Sequence, residues 1–266
     1  ETETIRVVIP VANPSTENNL LNLALILVNA TNGKLFPLHI IKDTGKKISR
    51  TAKRNQIQLL ETAEMIAHAT ATKVETIGRI DSSIDEGIIH VVQECDANLV
   101  ICGWKGYSTY QDNFFGGVID NLLRKSTTPI LITRLTEPIK TTKRVIFAIS
   151  SSQYHHPNFS HAFHLTKIIA SQLNTKLEIL QVSGVKSRSS FPQSMSELDA
   201  NEGIPVTHLH GNFIRQVLQE LEGDDLLILY STVENYLMGF PIIGSAPEAI
   251  GRNYRRISMI VICFPA

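Results

Sequence analysis

Glycines at a regular spacing form the most informative chemical pattern in the sequence. Gly103 and Gly106 are followed, after nine intervening residues, by Gly116 and Gly117. Glycine lets a backbone approach a phosphate with no Cβ atom in the way, and a helix that begins there adds free N–H groups and the positive end of its dipole. The pattern therefore fits an anion-binding turn, although glycines at this spacing also occur in ordinary turns.

Metal binding and catalysis are weaker alternatives. His155, His156, His161 and His164 cluster in the second half and could bind a metal ion, but no cysteine or carboxylate stands at ligand spacing, which favours a solvated loop. The chain has no Gly-x-Ser-x-Gly elbow, Walker A sequence or Gly-x-Gly-x-x-Gly fingerprint. Because no general base can be assigned beside the glycines, we expect no catalytic residues. We also expect no metal site, because the histidines lack further ligands at a suitable spacing.

The elements that must hold the glycines alternate between short apolar runs and longer segments of helical period, as βαβ units with a buried parallel sheet do. The predicted strands of the first half are 5–10, 34–42, 74–80, 99–103 and 129–133. Four helices connect them, the first with Ser15 or Thr16 as its N-cap. The glycine pattern therefore follows the carboxyl end of the fourth strand, and such strand ends are where open α/β sheets bind ligands.

The second half repeats this order of elements. Its predicted strands are 144–149, 176–182, 206–210, 226–230 and 259–264. It also contains a long loop at 150–159, and its second helix, within 184–203, is predicted to be short or broken. An internal duplication explains the repeat, so we predict an α/β fold of two Rossmann-like, five-stranded parallel-sheet domains in tandem, 1–136 and 143–266, packed as a pseudo-dimer.

The composition limits the partners and the compartment. Lys and Arg total 25 and Asp and Glu total 25, so no net charge would attract nucleic acid. Three cysteines in or beside apolar runs fit buried thiols in a reducing, cytoplasmic compartment. The sequence contains no apolar run of about 18 residues or more, which is the length needed to span a bilayer. The chain begins at Glu1 without a methionine, which we interpret as a piece of a longer protein.

The wider motifs resemble the universal stress protein family. The glycine pattern is joined by Val-x-Ile-Pro at the end of the first strand, Leu-His-Ile in the second, and Pro-x-Leu-Ile in the last strand of the first half. The resemblance covers nearly all of 5–134 and, more loosely, 144–264. It implies an adenine nucleotide alpha hydrolase-like fold and a nucleotide that serves as a regulatory ligand.

A narrower resemblance points to membrane transport. Residues 8–14, 79–84 and 103–106 are similar to the cytosolic C-terminal tails of cyanobacterial cation/proton antiporters of the monovalent cation:proton antiporter-2 type, which include sodium/proton antiporters. This resemblance implies a membrane transport domain earlier in the same polypeptide, with about ten or more spanning segments. It also implies a location on the cytoplasmic side, tethered to the inner membrane, and we expect a homodimer.

The family resemblance implies a set of nucleotide contacts. The adenine would contact Pro10, Val11 and Ala12 after the first strand and Ile40 or Ile41 in the second. The ribose and phosphates would contact Gly103, Gly106, Gly116, Gly117 and Val118. In the second half only Gly244-Ser245 remains of the pattern, so we expect that half to be a pairing partner that has lost its site.

The chain departs from the family's ATP-binding pattern at two positions. Ala12 stands where the family has an aspartate, and Gly117 stands where it has serine or threonine. A ligand with fewer phosphates, AMP, is therefore plausible beside ATP, and Mg²⁺ is expected only with ATP. Asp81 could replace the missing carboxylate or could simply form the turn before the third helix. The alternatives to a regulatory module are a slow ATPase or nucleotidyl transferase and a ligand-free dimerisation scaffold.

Overall fold

A computed structural model describes most of the chain as an α/β protein. The residues that it describes are 3–12, 14–104, 117–184, 203–232, 235–237, 240–242 and 245–265. The elements of the first half are β1 (Arg6–Pro10), α1 (Pro14–Ala30), β2 (Lys34–Lys42), α2 (Arg50–His68), β3 (Ile77–Asp81), α3 (Ile84–Glu94), β4 (Leu99–Gly103), α4 (Gly117–Lys125) and β5 (Ile130–Arg134). Those of the second half are β6 (Arg144–Ser150), α5 (Ser151–Tyr154), α6 (Phe159–Gln172), β7 (Lys176–Ser183), β8 (Val206–His210), α7 (Phe213–Glu220), β9 (Asp225–Thr232), β10 (Asn235–Leu237), β11 (Phe240–Ile242), α8 (Ser245–Asn253) and β12 (Ser258–Phe264).

Ten of the described strands form one continuous sheet. Its order is β3-β2-β1-β4-β5-β12-β9-β6-β7-β8, so the two halves have the same internal strand order. Within this sheet, pairing is parallel inside each half, while β10 and β11 form a separate antiparallel pair. The halves meet through an antiparallel ladder between β5 and β12, in which Leu131 lies opposite Ile262. The predicted fold of two parallel five-stranded units is confirmed, and the antiparallel junction is an addition to it.

Apolar side chains cover both faces of the sheet and cross from one half to the other. One core lies under α1, α2 and α6 and includes Leu27 and Phe163. The other lies under α3, α4, α7 and α8 and includes Leu122 and Ile250. Helices α1 and α6 also contact each other across the junction. Because both cores span the junction, the packing of one half depends on the other.

The two halves also end their first helices in the same way. Asn32 after α1 has a φ of 52°, and Asn174 after α6 has a φ of 51°. Asparagine tolerates this left-handed conformation better than most residues with a side chain. The repeated helix ending supports the duplication that the strand order indicates.

Several predicted boundaries were wrong. Helix α1 begins at Pro14, so Ser15 and Thr16 lie inside the helix and do not precede it. The third strand begins at Ile77, because Val74 makes only an isolated bridge to Leu35. The predicted loop 150–159 contains the short helix α5. The predicted short or broken helix within 184–203 falls almost wholly outside the described residues.

Arg134, the last residue of β5, ties the first half to the end of α8. Its side chain is 8% exposed. Its Nη1 donates to the carbonyl oxygen of Gly251 at 2.7 Å, and its Nη2 donates to those of Tyr254 at 2.6 Å and Ile257 at 3.0 Å. The last carbonyl groups of a helix have no partner within the helix. Arg134 therefore caps a helix of the second half from the first half.

We expect Arg134→Met to lower the free energy of unfolding by about 2 to 4 kcal/mol. Three carbonyl oxygens would lose the guanidinium as a donor, and an unsatisfied buried acceptor costs on the order of 1 to 3 kcal/mol. Urea denaturation followed by circular dichroism measures the change. Arg54→Met, at an exposed position of α2, is the control. Equal stability of the two variants would contradict the capping role.

Candidate functional site

The predicted contacts after the first strand lie at a topological switch point. β1 and β4 are neighbours and pair in parallel, although two other strands separate them in the sequence. Their connections leave to opposite faces, which opens a crevice at their carboxyl ends. Pro10 ends β1, the backbone N–H of Val11 donates to the Leu38 carbonyl at 2.8 Å, and Ala12 is exposed at the turn into α1.

Gly103 brings the glycine pattern to the same crevice from β4. A Cβ atom built at Gly103 would lie 3.0 Å from Cδ1 of Leu20, so the end of β4 packs closely against α1. The next residue, Trp104, is buried, and its backbone N–H donates to the Thr133 carbonyl at 2.7 Å. The pattern therefore leaves the sheet between β1 and β5.

The other end of the pattern is the start of α4. Gly117 is the first residue of this helix, and a Cβ atom built on it would meet no atom within 4 Å. Val118 follows it and is exposed. The predicted contacts Gly106 and Gly116 lie outside the described residues. Among the described residues, a helix thus starts downstream of the crevice, and a helix start suits an anion.

Ile40 and Ile41 project from opposite faces of β2, because side chains alternate along a strand. Ile40 packs on the face of α3, where a Cβ atom at Gly87 would lie 2.7 Å from its Cδ1. Ile41 therefore faces the side of α1 and α2. Ile40 and Ile41 are therefore not equivalent as predicted adenine contacts, because only Ile41 lies on the face of the sheet that α1 covers.

Asp81 takes part in a network of charged side chains at the end of β3. Its Oδ2 lies 2.8 Å from Arg79 Nε and 2.8 Å from His90 Nδ1, and its Oδ1 accepts from the Ser82 N–H at 2.8 Å. The hydrogen bond with His90, followed by those from Arg79 and Ser82, holds the Asp81 pKa well below its usual range. Both carboxylate oxygens are engaged, so a nucleotide at Asp81 would have to compete with this network.

A cleft of about 330 Å³ lies between α1 and α2 and opens at the carboxyl end of β1. Ala12, Pro14 and Glu17 line one wall, and Asn55, Gln58 and Leu59 line the other. Glu17 is only 4% exposed, and its Oε1 has no hydrogen-bond partner among the described residues. Burial raises the pKa of this carboxyl group. Sequence reasoning missed Glu17, because an acidic residue in the first turn of a helix is ordinary.

The equivalent crevice of the second half, at the ends of β6 and β9, is bridged by its own side chains. Gln153 Nε2 donates to the Tyr230 carbonyl at 2.8 Å, and the Tyr230 hydroxyl donates back to the Gln153 carbonyl. Asn158 Nδ2 donates to Thr232 Oγ1 at 3.0 Å. These bonds connect α5 and the turn after it to β9. They give a physical reason for the predicted loss of a site in this half.

The clustered histidines make individual contacts with other residues in the structure. His161 packs its ring against Phe264, with the ring centroids 5.3 Å apart, and its burial lowers its pKa. His156 Nδ1 accepts from the backbone N–H of Asn158 at 3.2 Å. In the part of the chain that the structure describes, no group of three or more His, Cys, Asp or Glu side chains is arranged to hold a metal ion.

Comparisons with known proteins agree with this geometry. The family model of the universal stress protein family matches residues 4–134. A curated relative is the Na(+)/H(+) antiporter NhaS5 of Synechocystis sp., which is 28% identical over 187 residues. That match covers 67% of this chain but 26% of the antiporter, so the match spans about a quarter of the length of this relative. The predicted resemblances to the family and to an antiporter are confirmed.

Solved structures share the fold along nearly the whole chain. A universal stress protein from Archaeoglobus fulgidus is 19% identical, with a TM-score of 0.72 over 98% of this chain and 97% of that chain. The cytoplasmic domain of a prokaryotic cation chloride cotransporter is 12% identical, with a TM-score of 0.68 over 98% and 96%. None of the helices in the described residues has the length and apolar character needed to cross a membrane.

We expect Asp81→Asn to be less stable than the parent at pH 5.5, and we expect this difference to be smaller at pH 3. The folded state holds the Asp81 pKa below the unfolded value of about 3.9, so the stabilisation is present above that value and disappears as the pH falls through the folded pKa. Thermal unfolding at the two pH values measures the difference. Glu61→Gln, at an exposed position of α2, is the control. A pH-independent difference for Asp81→Asn would contradict the account.

Proposed function

We propose that residues 4–134, which match the model of the universal stress protein family, bind an adenine nucleotide as a regulatory ligand. The observation that carries the proposal is the crevice at the carboxyl ends of β1 and β4, which Ala12 and Gly103 border. Gly103 packs against Leu20 of α1, and helix α4 starts downstream at Gly117. The second half serves as the packing partner, since its own crevice is bridged by Gln153.

We propose AMP as the preferred ligand. Ala12 and Gly117 lack the polar side chains of the ATP-binding pattern, and each lost hydrogen bond weakens binding by about 0.5 to 1.5 kcal/mol. A ligand with one phosphate needs fewer of these contacts than ATP does. Mg²⁺ would take part only with ATP, whose phosphates it bridges.

The regulatory part of the proposal rests on a chain of contacts between the glycine pattern and the second half. Trp104 lies at the start of the pattern, and the guanidinium carbon of Arg134 is 5.9 Å from the centroid of its ring. Arg134 in turn donates to the carbonyls at the end of α8. Strand β11 of the second half also packs against α4. A ligand that contacts Gly103 beside Trp104 would therefore act on contacts between the halves.

The downstream partner that we propose is a membrane transport domain of the same polypeptide. The support is the antiporter relative, of which this chain matches 26%. A nucleotide that stiffens the junction of the two halves would alter the surface presented to such a domain. The homodimer stays a prediction, as does the position of the module on the cytoplasmic side of the inner membrane.

We expect the chain to bind AMP and ATP, and Gly103→Val to bind both at least tenfold more weakly. The valine would press on the Leu20 side chain and place a branched side chain at the carboxyl end of β4, beside the crevice. Calorimetric titration measures the affinities, and circular dichroism confirms folding. Gly223→Ala, where a Cβ atom meets nothing within 4 Å, is the control. Undiminished binding in folded Gly103→Val would place the site elsewhere, and no binding by the parent would refute the proposal.

We also propose that the module does not turn over its nucleotide. With ATP and Mg²⁺, hydrolysis should stay far below an ordinary enzymatic rate of about 1 per second. Phosphate release measured over hours tests this, with Gly103→Val as the background control. Turnover near the ordinary enzymatic range that is lost in folded Gly103→Val would establish an enzyme instead.

A further inference from the structure

The carboxyl group of Glu17 is one of several buried polar groups that have an unpartnered atom among the described residues, and it lines a cleft. It lies in the first turn of α1, with Oε1 unpartnered among the described residues, and it lines the cleft between α1 and α2. A buried polar group without a partner is destabilising unless something hydrogen-bonds to it. A carboxyl group retained in such a place is therefore a candidate for contact with a ligand.

The cleft has the size and the chemistry of a small organic binding site. Its volume of about 330 Å³ lies within the range of ligand pockets, roughly 300 to 1,000 Å³. Asn18, Asn55 and Gln58 supply amide groups, while Leu59 and Ile66 supply apolar surface. Flat heteroaromatic rings with polar edges suit such a mixture of apolar walls and few polar groups.

The cleft also adjoins the proposed nucleotide site. Ala12 lines it at the turn between β1 and α1. Leu20, one helical turn after Glu17, is the residue against which Gly103 packs. The first two turns of α1 thus lie between the cleft and Gly103. A nucleotide that crosses the end of β1 would contact both the cleft and Gly103.

We infer that the cleft between α1 and α2 holds the adenine base and that Glu17, in its neutral form, recognises the base edge. This inference rests on the proposed nucleotide binding. A neutral carboxyl group offers one donor and one acceptor side by side, as a glutamine amide does. Adenine presents the complementary pair, a ring nitrogen acceptor beside the N6 amino donor. Glu17 thereby replaces the aspartate that the chain lacks at Ala12.

The neutral form is the one that the surroundings favour. A charged carboxylate in a buried site without a cationic partner is strongly disfavoured, and burial raises the Glu17 pKa accordingly. An ionised carboxylate would offer two acceptors and would repel the ring nitrogen of adenine. Because glutamine reproduces the neutral carboxyl group in shape and in hydrogen bonding, it is the variant that separates the two forms.

The test is calorimetric titration of AMP into the full chain and three variants, with circular dichroism to confirm folding. Glu17→Leu should bind AMP at least tenfold more weakly than the parent. Glu17→Gln should recover most of that loss and bind within about threefold of the parent. Glu61→Leu removes an exposed carboxylate from α2, outside the cleft, and should leave the affinity unchanged.

The outcomes separate this inference from the proposed function. If the parent binds AMP and folded Glu17→Leu binds it equally well, the base does not use Glu17 and the inference fails alone. If Glu17→Gln loses as much affinity as Glu17→Leu, the ionised form is required and the donor–acceptor match is wrong. If the parent does not bind AMP, the proposed function fails and the inference fails with it.

Discussion

The antiparallel pairing of β5 with β12 is the constraint on which the rest of the structure depends. Each half alone would end in an exposed strand, and such an edge is open to pairing with other chains. The ladder pairs the edge strands β5 and β12 with each other, and two apolar cores extend across the junction. It also places Arg134, the last residue of β5, beside the end of α8. The binding crevice of the first half is thus built one strand away from the junction.

The two halves carry different side chains at the same position of the fold. Both have the same strand order and therefore the same switch point. In the first half the turn after β1 carries the small, exposed residue Ala12. In the second, Gln153 reaches across and bonds to β9. The fold supplies the position of a site, but the side chains of one short segment decide whether a ligand can enter.

The sequence predicts those features that depend on local pattern. The buried strands follow from their apolar runs, and the helix start at Gly117 follows from the glycines, as the structure confirms. The antiparallel junction could not be predicted, because it depends on which edges of two sheets meet. Arg134 and Glu17 were missed for a related reason. Each is an ordinary residue at the end of a strand or the start of a helix, and only tertiary packing buries it.

The central claim is that a nucleotide bound in the first half changes the packing of the second. Backbone hydrogen exchange, measured with and without saturating AMP, tests it most directly, because exchange reports local opening. Slower exchange in α8 (Ser245–Asn253), with the distant edge strand β8 (Val206–His210) unchanged, is the result that the contacts through Trp104 and Arg134 predict. Protection confined to the first half, with α8 unaffected, would contradict the coupling of the two halves.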